Sequence, residues 1–288
     1  MPSKTGVDTM AKPRIAITGA TGVLGGRVAR QLDARGVPTR LIVRDPTRAP
    51  RLNHTEVAVA SYVDQAAMMA ALEGIDILFF VSGFEAADRL DQHKAAIDAF
   101  AAAGVQYVVY TSFVNCAADS IFTFARDHYH TEQYMEAAGL PFAALRDNFY
   151  ADMVPRLVTY GAIRGPAGNG RFAPVARTDV ADVAVAMLTD PTRPTGRFDV
   201  TGPELVTMSE AAALLSEISG QQVTYMEETQ AEAYASRAGF KAPQFELDGW
   251  VSSYSGIAAG EFEVLSDTVE RFTGHPPMTL KAFLENQC

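Results

Sequence analysis

The 288-residue chain is poor in cysteine and lysine, with only Cys116 and Cys288 and five lysines, and it has a single tryptophan. Two cysteines so far apart form neither a disulfide framework nor a ligand cluster, so a reducing cytoplasm is the expected setting. No spaced set of His, Cys and carboxylate residues stands in for them, and no metal site is expected. Long hydrophobic runs are missing too. The longest strongly apolar stretch, residues 75–84, contains Asp76 and is far shorter than the roughly 20 residues of a membrane helix. It reads as a buried strand, and no membrane partner is expected. Residues 1–14 hold no apolar run of signal-peptide length, and residues 1–12 read as a flexible arm. Positive charge is also in deficit, 24 Lys and Arg against 34 Asp and Glu for a net −10, which argues against nucleic acid as a partner.

What is present is ordinary globular composition, 48% hydrophobic and 20% charged, with an uneven charge distribution. Residues 1–150 carry 14 basic and 16 acidic side chains, residues 151–288 carry 10 and 18. Within the first half, residues 12–51 hold nine basic groups against Asp33 and Asp45 alone. One basic segment in an acidic protein calls for an anionic ligand.

The hydrophobic pattern alternates strand and helix. Residues 14–18, 39–43, 56–60, 76–81, 107–111 and 142–146 read as strands, and residues 23–35, 66–72, 90–103 and 123–138 as helices. Such alternation implies right-handed crossovers and an α/β, Rossmann-type doubly wound parallel sheet. After Tyr150 the rhythm changes: glycines crowd residues 161–170, residues 178–189 read as a helix and 196–200 as a last strand. Helices over 209–219 and 228–239 and a strand over 223–226 follow. The expected division is a dinucleotide-binding domain over 13–150, rejoined by 176–203, and a smaller interleaved α/β substrate domain formed by 151–175 and 204–288.

Gly19-Ala-Thr-Gly22-Val-Leu-Gly25 fits G-x-x-G-x-x-G between a strand and a helix, the context in which the backbone approaches a pyrophosphate and the helix amides face it. NAD-binding sites place an acidic residue at the end of the second strand for the ribose hydroxyls. Here that place is held by Arg44, whose guanidinium can grip a 2′-phosphate, so NADP(H) is favoured over NAD(H). A shift of one residue would put Asp45 there instead. Arg48 and Arg51 add to the field, while Arg27, Arg30 and Arg35 read as a solvated face of the first helix.

The glycine loop, Val43-Arg44-Asp45-Pro46, Tyr110-Thr111-Ser112, residues 145–150 and the closing Gly274-His275-Pro276-Pro277 together resemble the NmrA-like branch of the atypical short-chain dehydrogenases/reductases. Within it, the chain is most similar to the type 2 NAD(P)H:quinone oxidoreductases and the triphenylmethane reductases. The resemblance implies cofactor contacts at Gly19, Thr21, Gly22, Val23, Leu24 and Arg44, at Val81, Ser82 and Gly83, at Thr111 and Ser112, and near Asn148 and Tyr150. Two runs depart from the family pattern. Ser61-Tyr62-Val63-Asp64 lacks the first aspartate of D-[YF]-x-D, and Arg146-Asp147-Asn148 replaces the commoner Arg-Asn-Gly.

Short-chain dehydrogenases use a Tyr-x-x-x-Lys pair to protonate an alkoxide. No lysine of this chain has a tyrosine four residues before it. At the corresponding helix stand His128 and Glu132, at i and i+4 on one face, which resemble the family's His-x-x-x-Glu. His128 is a candidate proton donor oriented by Glu132, with a surface pair as the alternative, and Ser112 a candidate hydrogen-bond donor to a substrate carbonyl. Tyr129 has no lysine to support it, and His93 reads as structural. Phe149, Tyr150, Met153, Tyr160, Phe172 and Trp250 are candidates for an aromatic pocket. The expected activity is NADPH-dependent hydride transfer to a quinone-like or otherwise conjugated small molecule. Such acceptors delocalise or cancel the arriving charge and rely on geometry for much of their rate. The acidic second half favours a neutral or cationic substrate. Two alternatives stay open: a redox-sensing regulatory protein, and a biosynthetic reductase acting on a polycyclic or imine intermediate. A homodimer is one assembly open to the chain.

Overall fold

The computed structural model describes residues 14–287. Strands β1 (Ile15–Thr18), β2 (Thr39–Val43), β3 (Thr55–Val59), β4 (Ile77–Phe80), β5 (Tyr107–Phe113) and β6 (Phe142–Asp147) alternate with helices α1 (Val23–Ala34), α2 (Gln65–Ala71), α3 (Arg89–Ala102) and α4 (Thr123–Ala137). The chain continues through β7 (Val158–Thr159), β8 (Ala162–Gly165), β9 (Arg171–Phe172), α5 (Arg177–Thr189) and β10 (Gly196–Val200). It ends with β11 (Val206–Thr207), α6 (Met208–Ser219), β12 (Thr224–Glu227), α7 (Gln230–Arg237), α8 (Gln244–Ala258), α9 (Thr268–Thr273) and α10 (Leu280–Glu285).

Seven strands form one sheet in the order β10-β6-β5-β4-β1-β2-β3, every neighbouring pair parallel. This is the doubly wound α/β fold that the alternation predicts. Its central strands are buried on both faces, which is why they read as continuous apolar runs. On one face Ile17, Phe79 and Val109 pack with Val28 and Leu32 of α1 and Val180 and Ala184 of α5. On the other, Leu78, Phe80 and Val108 pack with Ile97 and Phe100 of α3 and Met135 of α4. A third cluster, built on Ile163, Phe172, Met208, Tyr254, Ile257 and Phe283, holds the smaller layer together.

Two parts of the second half differ from the pattern reading. Residues 244–258 carry Gly249, Gly256 and three serines, poor helix formers, yet they form α8. The reason is packing: a Cβ at Gly249 would lie 2.2 Å from Phe124, and one at Gly256 2.9 Å from Phe262. Small residues let α8 approach its neighbours, and that burial offsets their low propensity. Residues 268–273, expected in the substrate domain, instead form α9, which lays Val269 into the core beside α5.

At the head of α1, a Cβ on Gly25 would stand 2.5 Å from the Gly19 carbonyl oxygen, which is backbone and cannot swing aside. Gly25→Ala should therefore lower stability by about 1–3 kcal/mol, read as a lower denaturant midpoint. An unchanged midpoint would show that helix and strand tolerate separation there.

Candidate cofactor and substrate site

From β1 the chain winds outward through β2 and β3, and from β4 it winds the other way through β5, β6 and β10. The reversal leaves a crevice beyond the carboxyl ends of β1 and β4, the ligand position of such sheets. The glycine loop leaves β1 at that crevice. Gly19 has φ +63°, and a Cβ there would lie 2.9 Å from Val81 Cβ, so the two loops touch. The Gly22 amide donates to the Gly19 carbonyl at 2.9 Å. Gly22 is also the N-cap of α1, and no side chain caps the helix. Its first amides stay open for an anion, as a dinucleotide pyrophosphate requires. Beside them lies a depression of about 620 Å³ lined by Thr21, Gly22, Val23, Arg27, Arg30 and Gln31. Arg27 and Arg30, expected on a merely solvated face, thus border the glycine loop.

Hydrogen bonds fix the loop after β4. The Val81 amide donates to Thr18 Oγ1 at 2.9 Å, and the Tyr62 hydroxyl lies 2.8 Å from Thr18 Oγ1 and 2.5 Å from the Val81 carbonyl oxygen. The Ser82 amide donates to Thr111 Oγ1 at 2.7 Å, and the Gly83 amide to His93 Nε2 at 2.8 Å. Since Nε2 accepts, His93 carries its proton on Nδ1, 2.8 Å from Thr131 Oγ1. Burial and then Arg89 push its pKa well below the ordinary value, so it stays neutral. Tyr62 thus serves as a clasp between β1 and β4, a role its tetrapeptide does not advertise. Asp64, in the same run, accepts from the Ala67 amide at 3.0 Å and caps α2.

At the end of β2 the two competing residues separate. Asp45 accepts from the Thr47 amide at 2.9 Å and the Thr47 hydroxyl at 2.7 Å, bonds that hold its carboxyl below the usual range. It caps the short turn Pro46–Arg48. Arg44 is exposed, and among the described residues no carboxylate lies within ion-pair distance of it.

His128 and Glu132 share a face of α4 but not a partner. His128 Nε2 accepts from the Arg89 guanidinium at 3.0 Å, and Nδ1 lies 3.0 Å from the Tyr110 hydroxyl. Burial, then Arg89 and His93, push its pKa well below 6.5. A neutral, enclosed imidazole with both nitrogens engaged is not placed to hand a proton to substrate. Arg89, which sequence reasoning missed, is 2% exposed. It leaves Nε and Nη1 without hydrogen-bond partners, with Asp127 3.9 Å from Nη1.

Glu132 is fully buried and accepts from Arg146 at 3.0 and 2.7 Å, from Arg197 at 2.7 Å and from the Ser112 hydroxyl at 2.6 Å. Burial raises its pKa, but these donors outweigh it and hold the carboxylate ionised. It stitches α4 to β5, β6 and β10 and does not orient His128. The single Ser112 proton is engaged there as well, which removes Ser112 as a donor to a substrate carbonyl. Both departures have one cause: a helix wheel shows which residues share a face, not which cations the neighbouring strands bring.

Farther along the sheet edge, Asn148 is buried, its amide donating to the Phe262 carbonyl at 2.9 Å and its oxygen accepting from the Phe149 amide at 2.7 Å. It joins the sheet to the smaller layer. Tyr150 is half-buried and donates to Asp147 Oδ2 at 2.6 Å. The aromatic candidates do not form one wall: Phe172 is fully buried and Tyr160 fully exposed.

The crevice, the uncapped glycine loop and the flanking arginines define a Rossmann-type dinucleotide-binding oxidoreductase. A profile described as NAD(P)H-binding matches residues 19–191, and the chain belongs to that family. It is 33% identical over 275 residues to quinone oxidoreductase 2 of Escherichia coli (strain K12), covering 92% of this chain and 96% of that one. The structure of that enzyme complexed with NADPH aligns with a TM-score of 0.87 at 32% identity, over 95% of this chain and 99% of its own. The chain is 29% identical to an NAD(P)H azoreductase of Xenophilus azovorans, over 93% and 96% of the two chains. The triphenylmethane reductase of Citrobacter sp. aligns with a TM-score of 0.83 at 28% identity, covering 95% and 98%. The resemblance to NmrA-like quinone and dye reductases is borne out, and the protein is an oxidoreductase. Among the described residues no helix is long and apolar enough to cross a membrane.

Glu132→Ala removes the common acceptor of two arginines and should cost about 3 kcal/mol of stability, measured by chemical denaturation. Loss of turnover without loss of stability would restore Glu132 to a catalytic role.

Proposed function

We propose that the protein is an NADPH-preferring reductase that transfers hydride to neutral or cationic conjugated small molecules, quinones and arylmethane dyes among them, without a Tyr-x-x-x-Lys pair. The observation that carries the cofactor preference is the division of labour after β2. Asp45 is turned into its own turn by Thr47, so Arg44 is the charged side chain at the strand end that is left without a partner among the described residues. A guanidinium there complements a 2′-phosphate, whereas a ribose diol needs a carboxylate acceptor. Gly19, Thr21, Gly22, Val23 and Leu24 would hold the pyrophosphate, and Val81, Ser82 and Gly83 would flank the other end of the cofactor. The bound dinucleotide supplies the hydride. The names of the similar enzymes support the acceptor class, and the acidic second half of the chain favours acceptors without negative charge. All of these groups come from one chain. Reducing conditions for Cys116, a buried free thiol, fit a cytoplasmic location.

The purified protein should oxidise NADPH with a naphthoquinone or a triarylmethane dye. Cofactor binding without turnover across such a panel would replace the enzyme with a sensor. Arg44→Ala should raise the Kd for NADPH about tenfold or more, some 1.4 kcal/mol, with a much smaller change for NADH. Equal losses would mean that Arg44 does not read the 2′-phosphate.

A further inference from the structure

With His128 enclosed and Ser112 engaged by Glu132, the crevice needs another source of protons for an acceptor that ends with a new O–H bond. Asp147 ends β6 and Tyr150 follows it, at the same end of the parallel sheet as the glycine loop. The Asp147 carboxyl is 2% exposed. Its Oδ2 meets the Tyr150 hydroxyl at 2.6 Å, and its Oδ1 has no hydrogen-bond partner. A buried carboxylate with an orphan oxygen is costly, whereas a neutral carboxylic acid tolerates one. The Arg177 guanidinium stacks 4.0 Å over the Tyr150 ring and pairs with Asp152. Glu85, in the loop after β4, also acts on Tyr150, and Arg27 of α1 acts on Arg177. The tyrosine packs against the cluster that α1 and α5 build on the sheet, and its backbone bridges Val175, just ahead of α5.

We propose that Tyr150 is the proton donor to the reduced acceptor, and that Asp147 is the positioning residue that reloads it. This rests on the reductase reading. An acceptor carbonyl that has taken up a hydride carries negative charge on oxygen. The Tyr150 O–H bond breaks as an O–H bond forms on the acceptor; the Asp147 O–H bond breaks as the tyrosine regains its proton; the carboxylate then takes a proton from solvent. Tyr150 donates across the 2.6 Å contact to the Asp147 carboxylate; once Asp147 is protonated its own O–H takes over that contact, and the Tyr150 hydrogen is free to point outward. The charge left behind falls near Arg177. Burial, only partly offset by the Tyr150 hydrogen bond and Arg177, pushes the Asp147 pKa up to about 8, so the acid is loaded at neutral pH. An Asn there would be a neutral side chain of the same shape, so Asp147 supplies the titratable proton.

Two acceptors distinguish this relay from simple packing. Reducing a naphthoquinone requires a proton; reducing a triarylmethyl cation adds a hydride to carbon and requires none. Tyr150→Phe should lower the quinone-to-dye ratio of kcat at least tenfold, within the roughly 10²–10⁴-fold range of general acid catalysis. Equal losses on both acceptors would overturn the relay. In the wild type, quinone turnover should fall as pH rises through about 8, and in Asp147→Asn this break should be absent. A break that persists in Asp147→Asn overturns the assignment. On the cofactor-free protein, infrared difference spectra should show a carboxylic-acid carbonyl band that titrates near pH 8 and is missing from Asp147→Asn. A wild type that reduces the dye alone also overturns the relay. One that reduces neither acceptor instead overturns the reductase reading on which it rests.

Discussion

The reversal of winding between β1 and β4 is the constraint from which the site follows. Parallel neighbours need crossover connections, and when two adjacent strands send theirs in opposite directions, no helix covers the space above their carboxyl ends. The chain uses that opening twice: β1 runs into a helix with uncapped amides, and β4 into a loop pinned by Thr18, Tyr62, Thr111 and His93. Both loops must approach closely, which is why Gly19 faces Val81 without a side chain.

Charge is arranged around this opening in two ways. Near the cofactor end, cations remain exposed for an anion. Deeper in, they are consumed by buried acceptors: Arg146 and Arg197 both end on the Glu132 carboxylate, and Arg89 ends on the neutral His128 imidazole. The deep pairs hold α4 against the sheet. They also neutralise side chains that a linear reading takes for acid–base machinery, and so transfer the question of proton supply to the edge of β6.

The sequence made the strand–helix alternation, the glycine loop and the basic segment legible because each depends on near neighbours: a period, a tight turn, a helix start. The same locality explains what it missed. Residues 244–258 look too rich in glycine and serine for a helix until Phe124 and Phe262 are seen against them. Residues 268–273 look like part of the substrate domain until Val269 is found beside α5. His128 and Glu132 sit one helical turn apart, yet their partners come from 39 residues upstream and from 14 and 65 residues downstream.

By itself, then, the sequence determined a doubly wound parallel sheet and a glycine loop suited to a dinucleotide, which follow from hydrophobic periodicity and from glycines whose need is local; the NmrA-like reductase type came from the resemblance of several motifs taken together. Tertiary structure alone decided that Asp45 and not Arg44 is engaged by its own turn, that Glu132 is held by two arginines, and that Asp147 is buried with one oxygen unpartnered. The protonation and reach of an ionisable side chain depend on the dielectric and the partners around it, and distant segments supply both only once the chain has folded.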